Sequence, residues 1–359
     1  METDREILSA VKKRERRGRL LYRAGFTQAC WDKVAAAYGV ADDLYAFGKE
    51  AGFFMPVNLN PPLKKDAPVL DFSRYFRDVQ IPDGVQISDA GELDLPGSIY
   101  HYTHKISPLR DIYDPDELKK FPLHRTKERH DFHALKENIR TAREGGETVT
   151  VWCGRLFEAA WPLRGYENML ADMLAEPQIA EYFLDAELDF NIATATAAAE
   201  AGADMICVGD DIGNQNCLTV SAELWRRMLK PRWAKIFAAA RAVKPDIVVW
   251  FHSCGCIREI IPDLIEIGLD ILNPIQPECM DIWEIHRQFK DVLSFDGGLG
   301  TQKVMPFGTP KDVEAAVKKL AETFGANGGL ILAPSHVLEP EVPVDNVKAF
   351  IDAAQKYCR

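Results

Sequence analysis

No stretch of about 18 apolar residues occurs in this chain, so no membrane-spanning helix is expected. The first residues, Met1-Glu2-Thr3-Asp4-Arg5, are charged and lack the apolar centre of a secretory signal peptide. Positive charge is in short supply. Against 54 Asp and Glu stand 43 Lys and Arg, a formal net charge of −11. The long-range field therefore repels nucleic acid and anionic membrane, and neither is expected as a partner. Cysteine is sparse: eight thiols are scattered over 359 residues. That is no disulfide framework of a secreted scaffold. A reducing cytoplasm is the expected location, and each thiol is read as packing, metal or catalysis. Repeats and low-complexity segments are absent. No Gly-x-Gly-x-x-Gly follows any apolar run, which weakens a dinucleotide-binding reading.

What is present, from about residue 148 onward, is one recurring pattern. Short apolar runs occupy 148–154, 203–211, 246–252, 270–273, 292–296 and 329–333, mostly flanked by Gly, Asp or Pro. Amphipathic segments lie between most of them. Ser221 reads as an N-cap, and Thr309-Pro310 as an N-cap followed by proline at the first helical position. Val313, Ala316, Val317 and Leu320 then share one face. Alternation of this kind predicts a parallel sheet with helices outside. Six or more units at this length favour a closed (β/α)8 TIM barrel over an open doubly wound sheet.

Residues 1–147 read as an N-terminal extension that caps the barrel, with 148–359 forming the barrel's main part in one compact domain. Helices are expected at about 5–17 and 27–51, then an irregular Pro-rich segment from Pro56 to Pro68. Gly84–Ser88 and Ser98–Tyr102 are expected to pair as an antiparallel hairpin, with the turn around Glu92–Gly97.

In such a barrel, functional groups sit where strands end and the next loops begin. Those positions hold Cys153, Asp210, Asp211, His252, Cys254, Asn273, Gln276, Asp296 and His336. The run Ile247 to Cys256 is the most informative. Side chains two apart on a strand point the same way, so His252 and Cys254 leave a strand end together. The pair is half of a metal site or of a nucleophilic site. The bland alternative is a small buried thiol beside a structural histidine. Cys256 competes as a ligand only if the chain stays extended past Gly255, where a turn is expected.

His336 either completes a His/Cys/His zinc site or donates a proton without metal. Asp210, Asp211 and Asp296 are candidate catalytic carboxylates that orient a ligand or a substrate; the alternatives for the first two are helix capping and solvation. Cys153, Asn273, Gln276 and Tyr102 are candidate substrate contacts, with simple turn or packing roles as the alternative. Trp152, Trp250 and Phe251 are most simply core.

Several of these runs together resemble the uroporphyrinogen decarboxylase-like superfamily, in its cobamide-dependent methyltransferase branch. They are Leu163 to Asn168, Gly209 to Gly213, His252 to Gly255, Asp263 to Gln276 and Gly328 to His336. The resemblance covers residues of about 85–358 and extends to the methyltransferase I components of O-demethylases. It implies a distorted (β/α)8 barrel with the active site at its C-terminal mouth. It also implies Zn2+ on His252, Cys254 and a third ligand at 336, and a corrinoid (cobalamin) carried by a separate partner protein. A homodimer is the assembly implied.

At 336 this chain has histidine, where enzymes that methylate a thiol commonly have cysteine. One thiolate and two neutral imidazoles leave a net +1 site, suited to a Lewis acid on an ether oxygen. The expected reaction is therefore methyl transfer from a small donor, preferably an aromatic methyl ether, to the cobalt of the corrinoid protein. The alternatives are a metal-free decarboxylase of the uroporphyrinogen type and a methylcobamide:thiol methyltransferase. The decarboxylase is disfavoured because its Arg-rich N-terminal motif survives only as a faint echo in Arg23-Ala24-Gly25, and because it needs no His-x-Cys pair.

Overall fold

The computed structural model describes residues 2–96 and 103–359. Eight strands form one parallel sheet. The six apolar runs become β5 (Val149–Gly154), β6 (Met205–Gly209), β7 (Val248–His252), β8 (Ile271–Asn273), β9 (Ser294–Leu299) and β10 (Leu330–Pro334). Two short strands from the N-terminal part of the chain flank them: β1 (Leu21–Tyr22) pairs with β10, and β2 (Val57–Leu59) pairs with β5.

The sheet order is β1-β10-β9-β8-β7-β6-β5-β2, so it ends in two edges. This corrects the expected closed TIM barrel: the sheet is a curled but open half-barrel, with no ladder between β1 and β2. Phe54 N–H reaches Tyr22 O across the gap at 2.7 Å. The physical reason is local. Strands of two and three residues have little edge to offer, and Pro56, just before β2, has no N–H to donate.

Alternation along the strands divides the sheet into two faces. Met205, Cys207, Val248, Trp250, Ile271 and Ile331 point to the concave side, where they pack with Leu21 and Phe54. The lower end of this interior is filled by the first helix, Asp4–Lys13, through Ile7, Leu8 and Val11. That helix starts with a reciprocal Thr3/Glu6 cap and stops at Arg14, which takes a left-handed φ of 55°. It is thus shorter than the periodicity suggested. Lys12 Nζ donates to Asp246 O and Ile247 O ahead of β7, and Ser294 Oγ at the start of β9 donates to Val11 O. Burial of each of the three aliphatic side chains contributes about 1.5–3 kcal/mol.

The long helix expected over 27–51 is two, Gln28–Tyr38 and Leu44–Ala51. Gly39 turns the chain at φ 64°, and the Asp43 side chain caps the second helix on Ala46 N. The hairpin is also shifted. β3 (Leu93–Pro96) pairs antiparallel with β4 (Thr103–Ile106), in a register that sets Asp94 opposite Lys105, and their side chains pair at 2.8 Å. Gly84–Ser88 forms no strand; Ile87 makes only an isolated bridge to Leu93. The expected second arm, 98–102, lies outside the described residues.

Ser221 and Thr309 cap the helices Ala222–Met228 and Pro310–Thr323 as their sequences predict. Among the described residues, no helix is long and apolar enough to cross a membrane.

Candidate functional site

β7 carries the site. Val248, Trp250 and His252 rise along its concave side, from the apolar plug to the upper rim. His252 leaves the strand end with Cys254 beside it: Cys254 Sγ lies 3.7 Å from His252 Nε2. The third member is Asp211, at the end of β6, with Oδ1 3.4 Å from the same nitrogen. One donor atom from each of the three residues lies within 4.8 Å of the others, and this is the cluster of metal-binding side chains found among the described residues.

Backbone geometry assembles it. Asp210 N–H donates to His252 O at 3.0 Å, holding the ends of β6 and β7 together. Asp211 Oδ1 accepts the Cys254 N–H at 2.7 Å. Gly255 then turns the chain at φ 82°, against Gly213; a Cβ at 255 would stand 2.4 Å from the Gly213 backbone. Cys256, beyond this turn, is not in the cluster.

The imidazole is held on its other side too. His252 Nδ1 meets Asn273 Oδ1 at 2.7 Å, and the Trp250 ring lies nearly parallel to it, 16° between planes and 5.9 Å between centroids. Burial alone would discharge this histidine. Hydrogen bonds to Asp211 and Cys254, and their negative charge, outweigh burial and push its pKa up to about 10. Burial works against the Asp211 carboxylate as well, but His252 and the Cys254 N–H hold it below the usual range.

The donor set fits a zinc ion. Zinc takes one thiolate, imidazole or carboxylate donor at about 2.0–2.3 Å, so tetrahedral neighbours stand roughly 3.3–3.8 Å apart. The two separations at His252 Nε2 fall in or at that range. Asp211, His252 and Cys254 would supply three protein ligands to such an ion, the number found in catalytic zinc sites.

The other candidates are distributed as follows. Asp210 is fully buried and turns away from the cluster. Its carboxylate accepts the N–H groups of Leu156, Phe157 and Glu158 at 2.9–3.1 Å, at the start of the helix Phe157–Arg164. Burial and the neighbouring Glu158 push its pKa up to about 8, against the pull of those three donors. Asn273 and Gln276 reach the cluster from below and beside: Gln276 Oε1 accepts the Gly255 N–H at 2.5 Å. Asp296 is buried, accepts the Trp250 Nε1–H at 2.8 Å and pairs with Arg23 at 2.8 Å. Cys153 packs in the outer core, on the opposite face of β5 from Trp152. His336 is exposed in the turn after β10 and is not in the cluster. Tyr102 lies outside the described residues.

Beneath the rim is a cavity of about 290 Å³. Trp152, Trp250, Phe54, Met55 and Met205 give it apolar walls, and Arg23, Asp296, Asn58 and Thr150 add polar ones. Trp250 joins the cavity to the cluster, since its ring lines the first and stacks on His252. A larger hollow, about 830 Å³, lies by the β3–β4 hairpin and touches none of the three cluster residues.

Sequence reasoning missed three contributors. Trp250 was assigned to the core, and the strand period that places it two residues before His252 was the available signal. Arg23 reads as a remnant in the sequence but lies in the cavity wall. Glu158 accepts the Asp211 N–H at 2.7 Å, and burial beside Asp211 raises its pKa. No sequence signal marked it.

Comparison with known proteins supports a family assignment. The family model described as uroporphyrinogen decarboxylase (URO-D) matches residues 101–357. The chain belongs to this family. It is 26% identical over 185 residues to methylcobamide:CoM methyltransferase MtaA of Methanosarcina barkeri, covering 51% of each protein. It is 24% identical over 200 residues to a methylated-thiol–coenzyme M methyltransferase of Methanosarcina mazei, covering 56% of this chain and 51% of the relative. The alignments thus span about half the length of these curated relatives. A solved structure described as a methyltransferase from Methanosarcina mazei superposes with a TM-score of 0.66 at 18% identity, covering 98% of both chains, and shares the fold.

Proposed function

We propose that this protein is a corrinoid-dependent methyltransferase that passes a methyl group between a methylated corrinoid, held by a separate corrinoid protein, and a small thiol bound at the rim of the half-barrel. The observation that carries the reading is the Asp211/His252/Cys254 cluster at the strand ends. Two of its three donors are anionic. With Zn2+ they make a neutral site, whereas the expected set of His252, Cys254 and His336 would make a cationic one. The first suits a bound thiol acting as nucleophile; the second suits polarisation of an ether oxygen. The relatives named for transfer to coenzyme M or from methylated thiols support the same choice.

Zinc, when bound, would lower the pKa of a thiol in its fourth position so that it reacts as thiolate at neutral pH. The protein's own part is holding and shielding. Asp211, His252 and Cys254 would hold the ion. Asn273 fixes the imidazole orientation through Nδ1. Trp152, Trp250 and Phe54 give the cavity below the rim part of its apolar wall, beside the Arg23–Asp296 pair. The rim itself faces outward, where a corrinoid domain would dock.

The decisive test is a choice among substrates. Purified protein with methylcobalamin and coenzyme M should lose the methyl–cobalt absorbance and yield the thioether. Turnover of a methoxyaromatic donor with reduced cobalamin, and none with the thiol, would overturn the thiol assignment and leave the oxygen donor. Turnover of uroporphyrinogen without any corrinoid would overturn both.

A further inference from the structure

Asp296 touches none of the cluster atoms, yet two independent contacts lead from it to His252. The first runs through its backbone. The Asp296 carbonyl can only accept, and Asn273 Nδ2 donates to it at 3.1 Å. This fixes which end of the Asn273 amide faces His252: the oxygen, at 2.7 Å from Nδ1. Nδ1 must then carry a proton, and Nε2 is the atom left to face Asp211 and Cys254. A choice of tautomer that is ordinarily ambiguous is thus set two residues away.

The second contact runs through the side chain. Asp296 Oδ2 accepts the Trp250 Nε1–H at 2.8 Å, and the Trp250 ring runs nearly parallel to the imidazole, offset at 5.9 Å between centroids. That hydrogen bond restricts the indole, and so the neighbour that His252 meets on its ring side. Arg23 holds the carboxylate in turn, through Nη2 at 2.8 Å and Nε at 3.3 Å. The strand brings all this close: Gly297 has φ 119°, and a Cβ there would meet Pro274 Cβ at 3.3 Å.

We propose that position 296 orients the His252 ligand, its backbone carbonyl by setting the Asn273 amide and the Asp296 carboxylate, as a positioning residue, by holding Trp250. The inference rests on the metal reading of the Asp211/His252/Cys254 cluster. Removing one such supporting contact of a metal-bound histidine typically lowers metal affinity 10–100-fold.

The test measures Zn2+ affinity by chelator competition and the visible spectrum of the Co2+-loaded protein. Asp296→Leu, which leaves the backbone bond to Asn273 in place, should lower Zn2+ affinity at the low end of that range, about tenfold, and alter the Co2+ bands. Asp296→Asn, which keeps an acceptor for Trp250, should stay within about threefold of wild type, a smaller change than loss of the whole contact. Asn273→Leu should cost about 10–100-fold through the other arm. Because Asp296→Leu also strands Arg23, the double variant Arg23→Gln/Asp296→Leu separates the roles. Recovery of Tm with affinity still low supports positioning. Recovery of affinity together with Tm overturns it, as does an Asp296→Leu protein with wild-type affinity and Co2+ spectrum. A wild-type protein that takes up no Zn2+ overturns the metal reading itself.

Discussion

The lower and upper ends of the half-barrel interior are built from the same strands and do opposite things. At the bottom, Val248, Ile271 and Ile331 meet Ile7, Leu8 and Val11 of the first helix in a dry, apolar plug. At the top, one strand-length away, His252 and Asn273 meet Asp211 and Cys254. β7 passes from one regime to the other in five residues: Val248 packs, Trp250 bridges, and His252 joins the polar cluster. The difference predicts that substitutions at the two ends separate cleanly into loss of stability and loss of chemistry.

The largest effect is expected at the rim. Cys254→Ala and His252→Ala should each reduce bound zinc from about one ion per chain to a trace, since two protein donors do not hold it. Methyl transfer should vanish with it, while the thermal unfolding of the metal-free proteins stays close to that of metal-free wild type. Elemental analysis and calorimetry check both halves; a rim variant that keeps its zinc would break the comparison.

At the bottom, Leu8→Ala should cost about 2–5 kcal/mol of stability, as truncation of a buried leucine does. The folded fraction should still bind zinc as tightly as wild type. Denaturant titration with and without metal measures this.

Asp210 and Asp211 sharpen the contrast within two adjacent residues. Asp210→Ala leaves three helix-start N–H groups without their acceptor and should destabilise by about 1–3 kcal/mol with zinc stoichiometry intact. Asp211→Ala should do the reverse: weak zinc binding in a protein of nearly normal Tm. Equal zinc loss in the two variants would show that the pair acts as one unit. The smallest effect belongs to the outer helices. Ser221→Ala should cost about 1 kcal/mol and leave the site unchanged, as loss of an N-cap does.

How far the residues announced this depends on range. β5 to β10 were legible because each is a run of several apolar residues, long enough to show a pattern against its flanks. β1 and β2 were not: β1 has two residues, and Val57-Asn58-Leu59 of β2 is interrupted by a polar residue inside a Pro-rich segment, whereas β8, also three residues, has Ile271-Leu272 framed by Asp270 and Pro274. Their place in the sheet is set by pairing with β10 and β5, far along the chain. The open edge between them follows from the same shortness. Helix ends were legible where a cap residue marks them, as at Ser221 and Thr309, and misjudged where one residue takes a left-handed conformation, as at Arg14 and Gly39.

The site divides the same way. The spacing of His252 and Cys254 raised the expectation that they leave a strand end together; β7 stops at His252, and it is the loop after it that sets Cys254 Sγ 3.7 Å from His252 Nε2. The turn expected at Gly255 is present, at φ 82°. The choice of third partner was a matter of tertiary structure. Asp210 and Asp211 are chemically equivalent neighbours, and only the direction in which β6 ends gives one to a helix start and the other to His252. His336 has suitable chemistry, but the turn after β10 leaves it exposed. Which donors converge is decided by distances between strands, and adjacent letters in a sequence carry no such distances.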